Sequence, residues 1–335
     1  MTGIRSRRLG RTDVEVSELS YGGAGIGNLF APVTDADAAA SVEAAWDAGI
    51  RYFDTAPHYG LGLSERRLGE VLRGRDRSTY TISTKVGRRL EPVAEPTGDD
   101  LRDGGFAVPN AHRRIWDFSA DGVRRTIESS LERLGLDRVD VVYLHDPDNH
   151  GEEAFRDGYP ALEQLRAEGM VGAIGAGMNQ AEMLTRFVRD TDIDAVLCAG
   201  RYTLIDHEAL AELLPAAEER GTSIVIGGVY NSGLLADPKP GARFNYQEAP
   251  DELLDRARSL AALAERHGTT LRAAALAFPF GHPSVASVLI GVRSPAQVVD
   301  GAEQFATEVP ADFWKAARAA GHLPPEVPVP GEVRP

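Results

Sequence analysis

Short apolar runs alternate with longer amphipathic segments along most of the chain. Apolar runs bounded by turn residues are typical of buried strands, whereas apolar positions three and four residues apart are typical of helices. The pattern predicts strands at residues 19–22, 52–54, 81–85, 139–145, 173–177, 195–199, 223–227 and 285–290. It predicts helices at residues 34–48, 64–73, 119–134, 159–168, 180–189, 207–220 and 250–267, the last continuing towards 277, and a final helix starting near 294.

Strands that alternate with helices predict a parallel sheet with crossover helices. Eight such units close most simply into a single (β/α)8 TIM barrel, because an open nucleotide-binding sheet normally has fewer strands. No linker divides the chain, so we expect one domain over residues 1–335, with a short N-terminal hairpin cap. The extra length lies in a long irregular loop on the substrate side, residues 87–118, and in a Pro-rich tail, residues 323–335, which forms an extended strap or is mobile.

The charge and cysteine content narrow the range of partners. The chain has 36 basic and 50 acidic side chains and a net charge of −14, which disfavours nucleic acid or an anionic membrane as its main partner. Cys198 is the one cysteine, so the chain has no internal disulfide and no cysteine-based metal centre. No apolar run has the length of a membrane helix, and the N-terminus lacks the apolar stretch of a signal peptide. We therefore expect a cytoplasmic monomer or small homo-oligomer.

Reactive side chains end three consecutive predicted strands. Asp54, Lys85 and His145 end the second, third and fourth strands, and Tyr59 follows Asp54 by five residues. The carboxyl ends of barrel strands form the active site, so these four groups should converge. One charged residue there is usually a rim ion pair, but four different groups are harder to explain in that way. A buried Asp and Lys should pair, and the ammonium should lower the pKa of the Tyr59 phenol enough for proton transfer near neutral pH. With His145 orienting the reacting oxygen, such a site suits carbonyl–alcohol interconversion by hydride transfer, provided that a nicotinamide is present.

The segment around Asp54 resembles the first signature of the aldo-keto reductases. It reads GIRYFDTA at residues 49–56, followed by Tyr59-Gly60 and Ser64-Glu65. The resemblance implies a barrel that binds NADP or NAD without a Rossmann domain. It also implies a catalytic tetrad that consists of Asp54, Tyr59, Lys85 and His145.

The loops after the seventh and eighth strands suit phosphate binding. Both are glycine-rich, and the second leads into a helix whose first amide groups can face an anion. By resemblance, the pyrophosphate would contact Asn231, Ser232, Gly233 and Leu234, and the adenosine end would contact Gly291, Arg293, Ser294, Gln297 and Asp300. The nicotinamide would lie near Gly22, Gly23 and Asn179. Residues 199–202 lack the usual Gln and residues 227–228 lack the usual stacking aromatic side chain, and a single arginine leaves both NADP and NAD open.

Three further segments resemble the sugar-oxidising branch of the family, which includes L-fucose, L-galactose and D-threo-aldose 1-dehydrogenases. They are AGRYTL at 199–204, GAGMN at 175–179 and YNSG at 230–233. The branch implies oxidation of the anomeric hydroxyl of an aldose, such as L-fucose, L-galactose or D-arabinose, to a lactone. The alternatives are a general aldehyde or ketone reductase, a pyridoxal 4-dehydrogenase and a non-catalytic nicotinamide-sensing subunit.

Several residues near the predicted site have open roles. The cluster at 145–150 could suggest a metal-dependent hydrolase, but its ligand set is incomplete and we expect no metal. Trp116 in the long loop and Tyr202 after the sixth strand either contact the substrate or pack against the protein.

Overall fold

The predicted apolar runs all form strands of one closed parallel barrel in the computed structural model, which describes residues 3–332. The observed bounds agree with the predicted bounds to within two residues. The barrel strands are β1 (Leu19–Gly22), β2 (Tyr52–Asp54), β3 (Thr81–Val86), β4 (Val141–His145), β5 (Ala173–Met178), β6 (Ala195–Ala199), β7 (Ser223–Gly227) and β8 (Val285–Gly291).

Each barrel strand pairs with its neighbours in sequence, and β8 pairs with β1 to close the sheet. The register aligns Asp54 of β2 with Ser83 of β3, and Lys85 of β3 with Tyr143 of β4. Since all strands run in the same direction, the C-terminal ends of β2, β3 and β4 lie side by side. This arrangement brings the reactive strand ends together at one rim.

The helices connect the strands around the outside of the barrel. They are α1 (Asp35–Asp47), α2 (Leu63–Leu72), α3 (Ala120–Leu134), α4 (Tyr159–Ala167), α5 (Ala181–Asp190), α6 (Leu213–Arg220), α7 (Asp251–Arg266), α8 (Leu271–Ala277), α9 (Pro295–Ala306) and α10 (Ala311–Ala319). Thr34 and Ser119 are the first residues of two predicted helices, and their side chains accept hydrogen bonds from backbone N–H groups in the first turns of α1 and α3. Among the described residues, no helix is both long and apolar enough to cross a membrane.

Three helix predictions need correction. The helical run predicted over 250–277 is two helices, because Gly268 adopts a left-handed conformation and Thr270 starts a new helix by capping Ala273 N–H. The helix predicted over 207–220 begins only at α6, after a short 3-10 turn. Helix α10 was not predicted; its apolar face is buried through Phe313 and Trp314.

The barrel has an inner and an outer core. The outer core lies between the strands and the helices, and the inner core fills the barrel with side chains such as Tyr52 and Tyr143. An antiparallel hairpin, Ser6–Arg8 with Glu15–Ser17, covers the N-terminal end and buries Leu9 and Val16 against the inner core. The predicted hairpin cap is thus confirmed.

The two segments expected to be irregular are ordered by pairing and packing. Residues 87–118, here called the β3–α3 segment, contain two antiparallel pairs, Arg88–Pro92 with His112–Trp116 and Asp99–Asp100 with Phe106–Pro109. The tail is a strap: Leu323, Val327 and Val329 are buried in the outer core, although residues 333–335 lie outside the described part of the chain. Apolar side chains between the prolines anchor the strap, which is not extended throughout, because Val327 N–H donates to the Pro324 carbonyl oxygen at 3.2 Å and closes a turn.

Candidate active site

A buried ion pair joins the ends of β2 and β3. Lys85 Nζ donates to Asp54 Oδ2 at 2.6 Å and to the carbonyl oxygen of Thr55 at 2.9 Å, and both charged side chains are only 2% exposed. Ser83 Oγ donates to Asp54 Oδ1 at 2.7 Å, so both carboxylate oxygens have partners. Burial alone would lower the pKa of Lys85, but Asp54 and Tyr59 raise it above its ordinary value. The pair therefore keeps a charged ammonium inside the barrel mouth.

Tyr59 lies in the loop after β2, directly beside that ammonium. Lys85 Nζ is 4.7 Å from the centroid of the Tyr59 ring. The loop is held close because Gly60 has a φ of +63° and its Cα packs on the carbonyl of Gly27, where a Cβ would lie 2.2 Å from the oxygen. The tetrad prediction placed Tyr59 here from the sequence alone, and the structure brings it to Lys85.

The pKa of Tyr59 does not shift in the expected direction. Burial raises its pKa to about 12, although Lys85 pulls the pKa downward. The expected net lowering of the Tyr59 pKa is therefore wrong for this state of the protein. Removing the phenolate from water destabilises it more than the neighbouring Lys85 charge stabilises it. Tyr59 is a neutral phenol at pH 7 and is ready to donate a proton.

His145, at the end of β4, is the fourth residue of this group. Its ring meets the Tyr59 ring edge to face, with 5.7 Å between the centroids. Burial, and then the positive charges of Arg88 and Lys85, lower the pKa of His145 well below its ordinary value. A neutral imidazole next to a phenol can offer an N–H to the same oxygen that the phenol contacts.

A cavity of about 370 Å³ opens in front of these groups. Tyr59, Lys85, His145 and Asn179 line it, and Asn179 Nδ2 donates to the carbonyl oxygen of Ala199 at 2.9 Å. The other lining residues are Ala24, Leu29, Phe30, His58, Gly104, Phe106, Asp146, Gly177, Met178, Leu197, Ala199 and Tyr246. Gly104 and Phe106 belong to the β3–α3 segment, which therefore does reach the cavity as its predicted position implies.

Sequence reasoning missed several cavity residues. Phe30 and Tyr246 approach each other with 6.2 Å between ring centroids, although they lie in loops after different strands. His58 and Asp146 are neighbours in sequence of Tyr59 and His145, and this adjacency was the one signal that could have found them. Asp146 lies at a φ of +41°, and its carboxylate bonds Arg88 Nη2 at 2.5 Å.

The two proposed substrate aromatic residues lie elsewhere. Trp116 packs against His150, with 4.5 Å between ring centroids, and stacks under the guanidinium of Arg88. It is not among the residues that line the cavity. Tyr202 is fully buried against Phe278. A fully buried ring cannot contact a ligand in this conformation, so Tyr202 packs against the protein and does not line the substrate site.

Gly22 and Gly23 serve close packing at the first strand end. A Cβ at Gly22 would lie 2.5 Å from the Leu289 side chain, and one at Gly23 would lie 2.8 Å from the carbonyl oxygen of Asp54. The Gly23 N–H also donates to that carbonyl oxygen at 2.8 Å. Both glycines are buried, so their placement near a nicotinamide stays a prediction.

The loop after β7 has the features of a ligand site. Asn231, Ser232 and Gly233 all have positive φ, which is unusual for the first two residues. Asn231 is buried, and its Oδ1 atom has no hydrogen-bond partner in the structure. A buried amide oxygen without a donor is costly, so a ligand that donates to it fits this loop. Leu234 is fully buried beneath the turn.

The loop after β8 offers a second binding element. Ser294 caps α9 by accepting from Gln297 N–H, and Gln297 Oε1 accepts from Arg293 N–H at 2.9 Å. A Cβ at Gly291 would meet no atom within 4 Å, so the space beside this strand end is open. Asp300 pairs with Arg272 at 2.6 Å, whereas Arg293 forms no ion pair with a described residue. An uncommitted arginine at a helix start suits a phosphate-bearing ligand, and the two loops together fit a dinucleotide.

A larger open hollow of about 740 Å³ lies at the opposite, N-terminal end of the barrel. It is lined by the hairpin and by residues such as Arg77 and Asp140, which pair with each other at 2.6 Å. The tetrad lies at the other end of the strands, so this hollow is separate from the chemistry.

Comparisons with known proteins agree with this geometry. A family model described as the aldo/keto reductase family matches residues 18–321. The chain is 49% identical over 314 residues to D-threo-aldose 1-dehydrogenase from a Pseudomonas species, with 92% of this chain and 95% of that enzyme covered. It is 40% identical over 334 residues to pyridoxal 4-dehydrogenase from Microbacterium luteolum, with 94% and 97% covered. An aldo-keto reductase from Bacillus halodurans in its holo form superimposes with a TM-score of 0.73 at 26% identity, with 94% and 96% covered.

Proposed function

The chain belongs to the aldo/keto reductase family, and on that premise we propose that it oxidises the anomeric hydroxyl of an aldose to the lactone. Membership makes it an oxidoreductase that acts on CH–OH or carbonyl groups, and the family uses a nicotinamide coenzyme. The finer assignment rests on the similarity to D-threo-aldose 1-dehydrogenase and on the site that the tetrad forms.

One observation carries the proposal. The buried Asp54–Lys85 pair lies beside Tyr59 and His145. Lys85, Tyr59 and His145 line a cavity that has both aromatic and polar walls. A sugar ring presents an apolar face and a rim of hydroxyl groups, so this mixture of wall chemistry suits it.

Each tetrad residue has a distinct role in this reaction. Tyr59, as the phenolate, takes the proton of the anomeric hydroxyl, and the C1–H bond breaks as the C=O bond of the lactone forms. A nicotinamide coenzyme held by the loops after β7 and β8 would supply the acceptor for the hydride from C1. Lys85 stabilises the phenolate by its charge, and Asp54 holds Lys85 in place. His145 remains neutral and donates a hydrogen bond to the reacting oxygen.

The loops after β7 and β8 would hold the coenzyme. Asn231, Ser232 and Gly233 would contact the pyrophosphate, and Asn231 Oδ1 would gain the donor that it lacks in the protein alone. Arg293 would meet the adenosine ribose, where it can bind a 2′-phosphate or a 2′-hydroxyl, so the site accommodates NADP or NAD.

A pyridoxal dehydrogenase is the second candidate, and the 40% identical relative favours it. Pyridoxal closes to a cyclic hemiacetal, so it presents the same kind of carbon and hydroxyl as an aldose. Its aromatic ring would suit the Phe30–Tyr246 side of the cavity.

The test is a substrate panel run with NAD and NADP in parallel. The absorbance of the reduced coenzyme is followed in both directions: its formation from the oxidised coenzyme with L-fucose, L-galactose, D-arabinose and pyridoxal, and its consumption with simple aldehydes. We expect aldose-dependent reduction of the coenzyme; turnover of simple aldehydes with no aldose oxidised contradicts the proposal. Coenzyme binding without any turnover would instead indicate a sensing subunit.

A variant pair tests the role of Tyr59 in the same assay. Tyr59→Phe should lower the turnover rate by about 100-fold or more, because the acid–base group is lost, with coenzyme affinity nearly unchanged. Tyr80→Phe is the matched control, since its hydroxyl donates to the Leu72 carbonyl and lies outside the cavity lining. Equal rates in the two variants would refute the role of Tyr59.

A further inference from the structure

His58 lines the catalytic cavity but has no part in the mechanism above. Its ring meets the His145 ring edge to face, with 5.4 Å between centroids, and packs on Phe106 at 5.3 Å. It directly precedes Tyr59 in the chain. The polar His58 ring therefore borders the volume that a substrate would fill.

A buried ion pair from the β3–α3 segment holds this imidazole. Arg114 Nε donates to His58 Nδ1, and Arg114 Nη2 donates to the His58 carbonyl oxygen at 3.2 Å. The same guanidinium makes two bonds to the Asp100 carboxylate, at 2.6 and 2.5 Å. The Asp100 side chain is 1% exposed and that of Arg114 is 15% exposed, so the bonds are shielded from water.

The bond from Arg114 determines which nitrogen of His58 carries the proton. A guanidinium has donors only, so Nδ1 must be the acceptor and must be unprotonated. A neutral imidazole then carries its hydrogen on Nε2. No described protein group bonds Nε2, and the ring lines the cavity, so this N–H is available to a ligand.

The charges around His58 keep it in this neutral form. Burial lowers its pKa most, and the positive charges of Arg88, Arg114 and Lys85 lower it further, to about 2. The other titratable rings in contact with it, those of His145 and Tyr59, are also neutral, since burial lowers the pKa of His145 and raises that of Tyr59. The donor is thus present across the whole working pH range.

We propose that His58, held by Arg114 and Asp100 as the Nε2–H tautomer, donates a hydrogen bond to a substrate hydroxyl away from the reacting carbon. His58 is then a specificity-determining residue for hydroxyl-bearing substrates, and Arg114 and Asp100 are positioning residues. The assignment of that hydroxyl to an aldose rests on the proposed function; the tautomer and the donor do not.

The tautomer is tested directly by nitrogen-15 NMR of histidine-labelled protein saturated with coenzyme. Protonated and unprotonated ring nitrogens have well-separated shifts, and His58→Gln identifies the His58 signals by their loss. We expect Nε2–H in the native protein and a mixture of tautomers in Arg114→Met. Arg113→Met is the matched control, because Arg113 is the neighbouring residue, is 67% exposed and pairs with Glu91 instead. An Nδ1–H signal in the native protein overturns the proposal.

Binding of the hydroxyl is tested with an aldose and its series of deoxy analogues. One analogue should lose about 3- to 10-fold in kcat/KM with the native enzyme, which is the cost of one neutral hydrogen bond. The His58→Phe variant should have the same kcat/KM for that analogue as for the parent sugar. The His58→Gln variant keeps a hydrogen-bond donor and should therefore restore part of the difference in kcat/KM. KM should change more than kcat. The proposal is overturned if, for every deoxy analogue, the loss in kcat/KM relative to the parent sugar is the same in the native enzyme and in His58→Phe.

The two proposals fail in different ways. If the native enzyme oxidises no aldose, the proposed function is wrong, and the same comparison is made with pyridoxal and its analogue that lacks the ring hydroxyl. If aldoses are oxidised but His58→Phe leaves the discrimination unchanged, only the role of His58 is wrong.

Discussion

Replacing Lys85 with methionine separates the structural role of the buried ion pair from its chemical role. The substitution keeps the length of the side chain but removes the ammonium and its bonds to Asp54 and to the Thr55 carbonyl. Among residues 3–332, the Ser83 hydroxyl is then the one hydrogen-bond donor left to the Asp54 carboxylate, which is 2% exposed. An uncompensated buried charge should destabilise the fold.

The expected size follows from the burial of both partners. Breaking one side of a buried pair costs about 3–5 kcal/mol. The entropy of unfolding is about 2.1 cal/mol/K per residue, hence about 0.7 kcal/mol/K for 335 residues, so Tm should fall by about 4–7 °C. Activity should fall as well, because Lys85 no longer offsets the burial that raises the pKa of Tyr59.

The assay compares Lys85→Met with the double variant Asp54→Asn/Lys85→Met by thermal unfolding and by turnover. The double variant leaves no unpaired charge, so it should recover most of the lost Tm while remaining inactive. Lys315→Met is the matched control, since Lys315 pairs with Asp312 on the surface, with both side chains 74% exposed, and should leave Tm unchanged.

Two results would refute this reasoning. If Lys85→Met unfolds at the same temperature as the double variant, the carboxylate is not left uncompensated. If the double variant regains turnover together with stability, the ammonium contributes only to folding and not to the chemistry.

The remaining predictions concern pH, the coenzyme and the tail. Since Tyr59 has a pKa of about 12 and alcohol oxidation needs its phenolate, the oxidation rate should rise about tenfold per pH unit between pH 7 and 10, while carbonyl reduction stays flat; a plateau in oxidation near pH 7 contradicts this. Arg293→Met should weaken NADP binding by about 10-fold or more and change NAD binding little, as measured by fluorescence titration; equal effects on both coenzymes would place Arg293 away from the 2′-position. Val327→Asp should lower Tm by about 4 °C or more, because it places a charge where the native side chain is 1% exposed; an unchanged Tm would mean that the tail does not anchor the fold.

Much of the barrel could be predicted because its signals are local. Strand runs, the caps at Thr34 and Ser119, and the reactive strand ends each depend on a few adjacent residues. The helix break near Gly268 also had a local signal in Gly-Thr-Thr, but the apolar spacing continued across it and concealed the break.

The β3–α3 segment shows where local signals fail. Its outer pair joins Arg88–Pro92 to His112–Trp116 across the intervening residues 93–111, and neither this pair nor the inner one shows the clear alternation of a half-buried strand. The contacts of Arg114 with His58 and Asp100 depend entirely on that pairing. Trp116 was equally ambiguous, because its neighbours Arg88 and His150 come from distant positions in the chain.

The sequence by itself determined the barrel and the convergence of Asp54, Lys85 and His145, because parallel strands of fixed order bring their ends to one rim. The position of Tyr59 also depends on how the loop after β2 folds. Only the tertiary structure decided the protonation states and the walls of the cavity. The position of Lys85 beside Tyr59 predicted a lowered pKa for the Tyr59 phenol. Burial raised that pKa instead, and no local sequence pattern reports how deeply a side chain is buried. The donor on His58 likewise depends on an arginine 56 residues away, and such a contact exists only once the chain has folded.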